Sequence, residues 1–175
     1  MASNCALTQD YNLDCRDSFG GLNTVYLIEF AGATPAAAVL GVIPSITNLT
    51  GQKWRKYALI AHTGEADEVF TPSRENGTVN SKQHVKFPIN KMTVSVRNEI
   101  LLLAQNRLLM IIVDENGGAW LYGKDYGMML GATGAKTGKT LGDRNGYDLS
   151  FEGDEKYLAQ SVATTVLATL QVTGV

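Results

Sequence analysis

Leu108-Leu109-Met110-Ile111-Ile112-Val113-Asp114-Glu115-Asn116-Gly117-Gly118-Ala119-Trp120-Leu121-Tyr122-Gly123 is the stretch on which the reading of this chain turns. Six consecutive apolar residues form a run too short for a typical helix and suited to a buried strand. Asp114 to Gly118 is turn chemistry, because Asn-Gly readily takes the positive φ values of a tight hairpin turn. Ala119 to Gly123 then returns as a second strand. The fold therefore contains at least one β-hairpin with a buried strand.

Working outward, Val94 to Arg107 (VSVRNEILLLAQNR) places Val96, Ile100, Leu103 and Ala104 at helical spacing. Leu101 and Leu102 widen that apolar side, so the expectation is a helix packed on a sheet over a broad face. Thr93 and Val94 also suit a strand, which leaves its start open. His84 to Ile89 alternates, with Val85, Phe87 and Ile89 on one face. Gly146 to Glu152 alternates likewise, with Tyr147, Leu149 and Phe151 sharing a face. Thr24 to Phe30 (TVYLIEF) is rich in β-branched and aromatic residues and reads as a strand. Val39 to Thr47, interrupted by Gly41 and Pro44, and Trp54 to His62 read as two less regular strands. Between them and the His84 strand lies a polar stretch, Thr63 to Gln83. A structureless loop of that length is unusual in a compact domain, so a long hairpin or protruding arm is expected there. Tyr157 to Val175 carries no charge. Ser161 to Leu170 suits a strand or a helix, its Thr and Val content tipping the balance to a strand, and an uncharged tail of this kind is expected to be buried on its own core or on another subunit.

The fold class is thus mainly β with one central helix (α+β), in a single domain over residues 1–175, with no internal repeat and no linker. Composition agrees: 45% apolar residues are enough for a core, and 18 Gly against 4 Pro suit strands joined by turns. Net charge is −2, from 15 Lys and Arg against 17 Asp and Glu, which argues against nucleic-acid binding through bulk positive charge. Two Cys and two His would all be needed for a single four-ligand zinc site, and two Cys exclude a disulfide-rich scaffold. Cys5 and Cys15 are expected as free thiols in a reducing compartment. No targeting signal opens the chain. The uncharged stretch from Phe30 to Gln52 contains Pro35 and Pro44 and reads as strand and loop rather than a membrane span.

Catalytic motifs are sparse. Thr133 to Thr140 ends in Gly-Lys-Thr as a phosphate-binding loop does, but Gly134 stands one place late and Leu141 to Gly146 reads as a turn, not a helix. His62 and His84 have no nucleophile motif to serve and read as solvent-facing strand-end residues. Trp54, Trp120 and Tyr122 read as core aromatics before they read as a sugar-binding face. The expectation is a non-enzymatic chain with no cofactor and no metal site.

The run RNEILLLAQNRLLMIIVDENGGAWLYG, followed by GMMLGATGAKTGKTLGDRNGYDLSFEGDEK, resembles virion structural proteins of tailed bacteriophages, in particular tail tube proteins of phages infecting Bacteroidetes. The opening NCALTQDYNLDCRDSFGGLNTVYLIEF is similar to the start of the same group. The resemblance implies a β-sandwich or β-barrel flanked by a helix. It implies homo-oligomeric rings, commonly hexameric, stacked into a tube. The partners are then other copies, other phage tail proteins, and double-stranded DNA passing through the lumen without specific binding. Localisation would be the phage tail of the virion, assembled in the bacterial cytoplasm, with no membrane insertion. Under this reading Glu65, Asp67, Glu68, Phe70, Arg74, Val85, Phe87 and Ile89 are the candidate subunit-interface residues. The rivals are a head–tail connector or tail terminator ring protein, a small carbohydrate-binding module using Trp120 or Trp54, and a nucleotide-binding enzyme using Thr133 to Thr140.

Overall fold

A computed structural model describes residues 11, 18–73 and 75–173. The expected thiols Cys5 and Cys15, and a turn expected at Asn12 to Asp14, lie outside the described residues. The strands are β1 (Leu22–Glu29), β2 (Ala33–Pro35), β3 (Val42–Ile43), β4 (Ile46–Asn48), β5 (Arg55–Ala58), β6 (Glu65–Ser73) and β7 (Thr78–Asn90). Helix α1 (Val94–Gln105) follows, then β8 (Leu108–Asp114), β9 (Ala119–Tyr122), β10 (Met129–Leu130), β11 (Gly134–Lys136), β12 (Gly146–Glu155), β13 (Gln160–Val162) and helix α2 (Thr164–Thr169).

These elements make a six-stranded sheet in the order β3-β13-β9-β8-β1-β5 and a second sheet in the order β10-β12-β7-β6, with β11 also paired to β12. A small two-stranded sheet joins β2 and β4. The chain is mainly β with one main helix, and among the described residues no sheet closes into a barrel, so of the two expected forms it is the sandwich that is present.

The apolar run of β8 explains the layering. Leu108, Met110 and Ile112 point into a first core shared with Val25, Leu27, Val85, Phe87, Leu149 and Phe151, between the two large sheets. Leu109 and Ile111 point the other way, into a second core with Ile28, Ile43, Trp54, Leu121, Val162 and Val166. A strand buried on both faces must be apolar at every position, not at alternate ones. Phe87 ties the two large sheets together, stacked on Phe151 with ring centroids 5.6 Å apart and tilted against Tyr57 of β5 at 5.9 Å.

Helix α1 begins at Thr93, whose hydroxyl accepts the Val96 N–H at 3.2 Å, a normal N-cap that settles the open helix start. Its packing face is narrower than expected. Leu103 is buried and Val96 and Ile100 rest on the first core, while Leu101, Leu102 and Ala104 stand exposed. Successive residues in a helix are about 100° apart, so Leu101 and Leu102 cannot share the stripe that Leu103 buries.

The strand expected over Ser161 to Leu170 is corrected. Strand β13 ends at Val162 and residues 164–169 form α2. Burial of Val166 in the second core overrides the weak β preference of Thr and Val. The Thr169 hydroxyl, which in a helix can compete with the backbone, donates to the Thr165 carbonyl at 3.1 Å. Phe30, expected in the first strand, lies in a single 3₁₀ turn after β1, its ring under the Arg107 guanidinium at 4.8 Å.

Candidate assembly surface

Strands β6 and β7 pair from Glu65↔Lys86 to Ser73↔Thr78, so of the two forms expected for this stretch, hairpin or arm, it is a hairpin. Most of it belongs to the sheet. Strand β12 pairs β7 only as far as Glu155↔Ser81. Beyond that row the hairpin runs on alone through Thr71↔Asn80, Pro72↔Val79 and Ser73↔Thr78, about 10 Å of ribbon at roughly 3.3 Å per residue.

The two faces of the hairpin differ in chemistry. Ala66, Glu68, Phe70 and Pro72 share the face of Val85, Gln83, Ser81 and Val79. At its base this face is core. From the root of the overhang outward it is uncovered, with Phe70 at the root 49% and Val79 in the overhang 47% exposed. The opposite face carries Glu65 and Asp67 of β6, Lys82, His84 and Lys86 of β7, and Asp148, Ser150, Glu152 and Asp154 of β12. Its cations are matched by acids across the strands. Lys86 Nζ lies 3.2 Å from Glu65 Oε1, and Lys136 Nζ 3.0 Å from Asp148 Oδ2. Arg144 also binds Asp148, and that guanidinium, then Lys136, holds the Asp148 carboxyl below the usual carboxylate range. Lys82 and His84 stand in register with Asp154 and Glu152. His84 is therefore a mid-strand residue, not the strand-end residue expected, whereas His62 sits exposed in a turn with φ 63°.

The candidate interface residues divide accordingly. Glu65, Asp67 and Phe70 are exposed. Arg74 lies outside the described residues. Val85 and Phe87 are buried in the chain's own first core, and Ile89 packs against it. Glu68 is occupied within the chain: its carboxylate accepts the Ala159 N–H at 3.0 and 3.1 Å and the Tyr122 hydroxyl. Burial raises the Glu68 pKa, those hydrogen bonds partly offsetting it, and burial followed by the Glu68 charge pushes the Tyr122 phenol upward.

A group that the sequence reading missed lies behind the hairpin. Glu155, 4% exposed, accepts the backbone N–H groups of Asp125, Tyr126 and Gly127 at 2.8, 2.9 and 3.2 Å. Gln83, also buried, accepts the Gly123 N–H at 2.9 Å. Together they hold the loop between β9 and β10, whose Gly123 (φ +71°) has no room for a Cβ because Met128 N and Leu108 O would lie 2.7 and 2.9 Å from it. Burial raises the Glu155 pKa, with the three N–H groups working against it. The signal was available: alternation from Tyr147, Leu149 and Phe151 continues through Gly153 to Glu155.

The remaining motifs take ordinary places. In the Gly-Lys-Thr loop the N–H groups of Lys139 and Thr140 donate to Asp143 Oδ2 at 2.7 and 2.9 Å, so they are turned to an internal carboxylate, and no helix follows. Trp54 is fully buried and Tyr122 nearly so, while Trp120 is half-exposed with its Nε1 donating to Asp114 at 3.3 Å. Among the described residues no group of three or more His, Cys, Asp or Glu is placed to hold a metal ion, and no helix is long and apolar enough to cross a membrane. No protein family, no curated protein and no solved structure gives a significant match to this chain.

Proposed function

We propose that this chain is a non-enzymatic virion structural protein, a phage tail tube subunit that closes into rings, hexameric as the resemblance implies, and stacks them around a DNA-conducting lumen. The observation that carries the reading is the hairpin overhang. Phe70 at its root, and Pro72 and Val79 beyond, continue the core-facing side of a sheet into solvent, along β6, which among the described residues has no strand on its outer side. Uncovered edges invite pairing with another chain, and apolar side chains on one favour it. A neighbouring copy supplies the cover. The charge-matched outer face of the same sheet supports the DNA-conducting role. Its Lys86, Lys136 and Arg144 are engaged by acids, so a passing phosphate backbone meets few free cations and is not retained.

Electron microscopy of the purified protein over a concentration series tests this. Long tubes with a central channel are expected. Closed rings that never stack would favour a connector or terminator ring, and a monomer at every concentration would overturn the reading. Replacing residues 71–80 by a two-residue Asn-Gly turn joins Phe70 to Ser81 without touching Glu68, Gln83 or Glu155. That variant is expected to melt as a folded domain and to form no tubes. Unchanged tube formation would remove the overhang from the assembly.

A further inference from the structure

Glu99, Leu102, Leu103 and Asn106 stand at i, i+3, i+4 and i+7 of α1 and so share one side of the helix. That side forms one wall of a cleft of about 180 Å³. The facing walls are the end of β1 with Glu29, the loop ahead of β5 with Lys53, and Arg55 at the start of β5. The floor is apolar, since Leu27, Ile28, Leu103 and Leu108 line the cleft and are each 5% exposed or less. Leu102, 54% exposed, forms an apolar lip.

Charged side chains of both signs line the same cleft, Glu29 and Glu99 against Lys53 and Arg55. Among the described residues the ion pairs join Lys86 to Glu65, and Lys136 and Arg144 to Asp148, so none of these four is paired. Arg55 Nη1 donates instead to the Thr173 hydroxyl at 3.1 Å. The two signs of charge are felt at one phenol, two residues from Arg55. Burial, then the Glu99 charge, push the Tyr57 hydroxyl up to about 12, with Arg55 opposing them. Opposite charges that line one cleft without pairing leave room between them for a third group.

We propose that this cleft binds a small zwitterion, a free amino acid with an apolar side chain. Its ammonium is held by Glu29 and Glu99, its carboxylate by Lys53 and Arg55, and its side chain rests on Leu27, Leu103 and Leu108. Charge and size select the ligand. A plain cation or anion meets as much repulsion as attraction from two acids and two bases, whereas a zwitterion can match both. The volume falls below the range of about 300–1,000 Å³ usual for drug-sized ligands, which leaves room for about one amino acid. The proposal does not depend on self-assembly.

Saturation-transfer NMR on the full chain at neutral pH tests it with L-leucine as the probe, a readout that serves single subunits and assemblies alike. Leucine is expected to bind with a Kd of about 1 mM or tighter. Isopentylamine and isocaproate are leucine without its carboxylate and without its ammonium. Each is expected to bind about tenfold more weakly, because it loses one attraction and keeps the repulsion. Glu99→Gln and Arg55→Gln are each expected to weaken leucine by about tenfold at an unchanged melting temperature, neither residue being part of the core. Leu102→Trp, at the exposed lip, is expected to fill the cleft and abolish the leucine signal while the chain melts as before. The proposal is overturned by the absence of a leucine signal at about 20 mM, or by leucine binding that survives Leu102→Trp. Binding of isopentylamine or of isocaproate as tight as that of leucine would overturn it in favour of a plain cation or anion site.

Discussion

Phe87→Asp is expected to leave no cooperatively folded protein. Phe87 is 2% exposed, stacked on Phe151 within its own sheet and tilted on Tyr57 of the other large sheet. Truncating such a ring to Ala costs about 3–5 kcal/mol. A buried, unpaired carboxylate adds several kcal/mol more. Domains of this size have about 5–15 kcal/mol in total, so the sum is disabling. The neighbouring substitution supplies the control. Lys86→Asp sits one residue away on the opposite face, at an exposed pair with Glu65, and is expected to change stability by about 1 kcal/mol or less. Circular dichroism and urea unfolding of the two variants read the difference. A native-like transition in Phe87→Asp would mean that the two faces of β7 are misassigned.

The second large effect is expected at Glu155. Glu155→Ala leaves the N–H groups of Asp125, Tyr126 and Gly127 without their acceptor, and is expected to cost about 2–4 kcal/mol at about 1–3 kcal/mol for each buried unmade bond, partly relieved by water reaching the loop. Glu155→Gln keeps one accepting oxygen and is expected to cost less. The pH dependence has a definite sign. Burial raises the folded-state pKa of Glu155 above its ordinary value of 4.5, so the folded protein holds this proton more tightly than the unfolded chain does. The resulting stability is fully present below the unfolded pKa and is lost as pH rises through the folded one. The advantage of the native protein over Glu155→Gln should therefore shrink as pH rises through that window. Urea midpoints of both proteins from acid to neutral pH measure it. A gap independent of pH would show that the carboxyl does not titrate from a buried position.

How much could be read from the residues alone follows from burial. The run from Leu108 to Val113 announced a strand and its hairpin because it is apolar on both faces and bounded by Asn-Gly. The alternation at Val85 and Phe87, and at Tyr147, Leu149 and Phe151, survived because each strand has one wet face. Helix α2 was misread, since its β-branched residues favour a strand locally and only the docking of Val166 decides otherwise. Leu101 and Leu102 were assigned to a buried face by their type, yet only register relative to Leu103 determines burial. Glu68 was legible as an acid in a hairpin. Its bond to Ala159, 91 residues away, was not, because no local pattern encodes a contact at that separation.

The parallel pairing of β3 with β13 also orders events in time. Thr173 donates its hydroxyl to the Trp54 carbonyl across 119 residues of chain. During synthesis, β1, β8 and β9 can pair while the ribosome is still producing the rest. The cover over the second core cannot close until β13 and α2 have emerged. A nascent chain stopped before Gln160 leaves Ile43 and Leu121 without Val162 and Val166, and its second core stays open. Closure of the second core is thus a late event, waiting on residues more than a hundred positions beyond β3, the strand with which they pair.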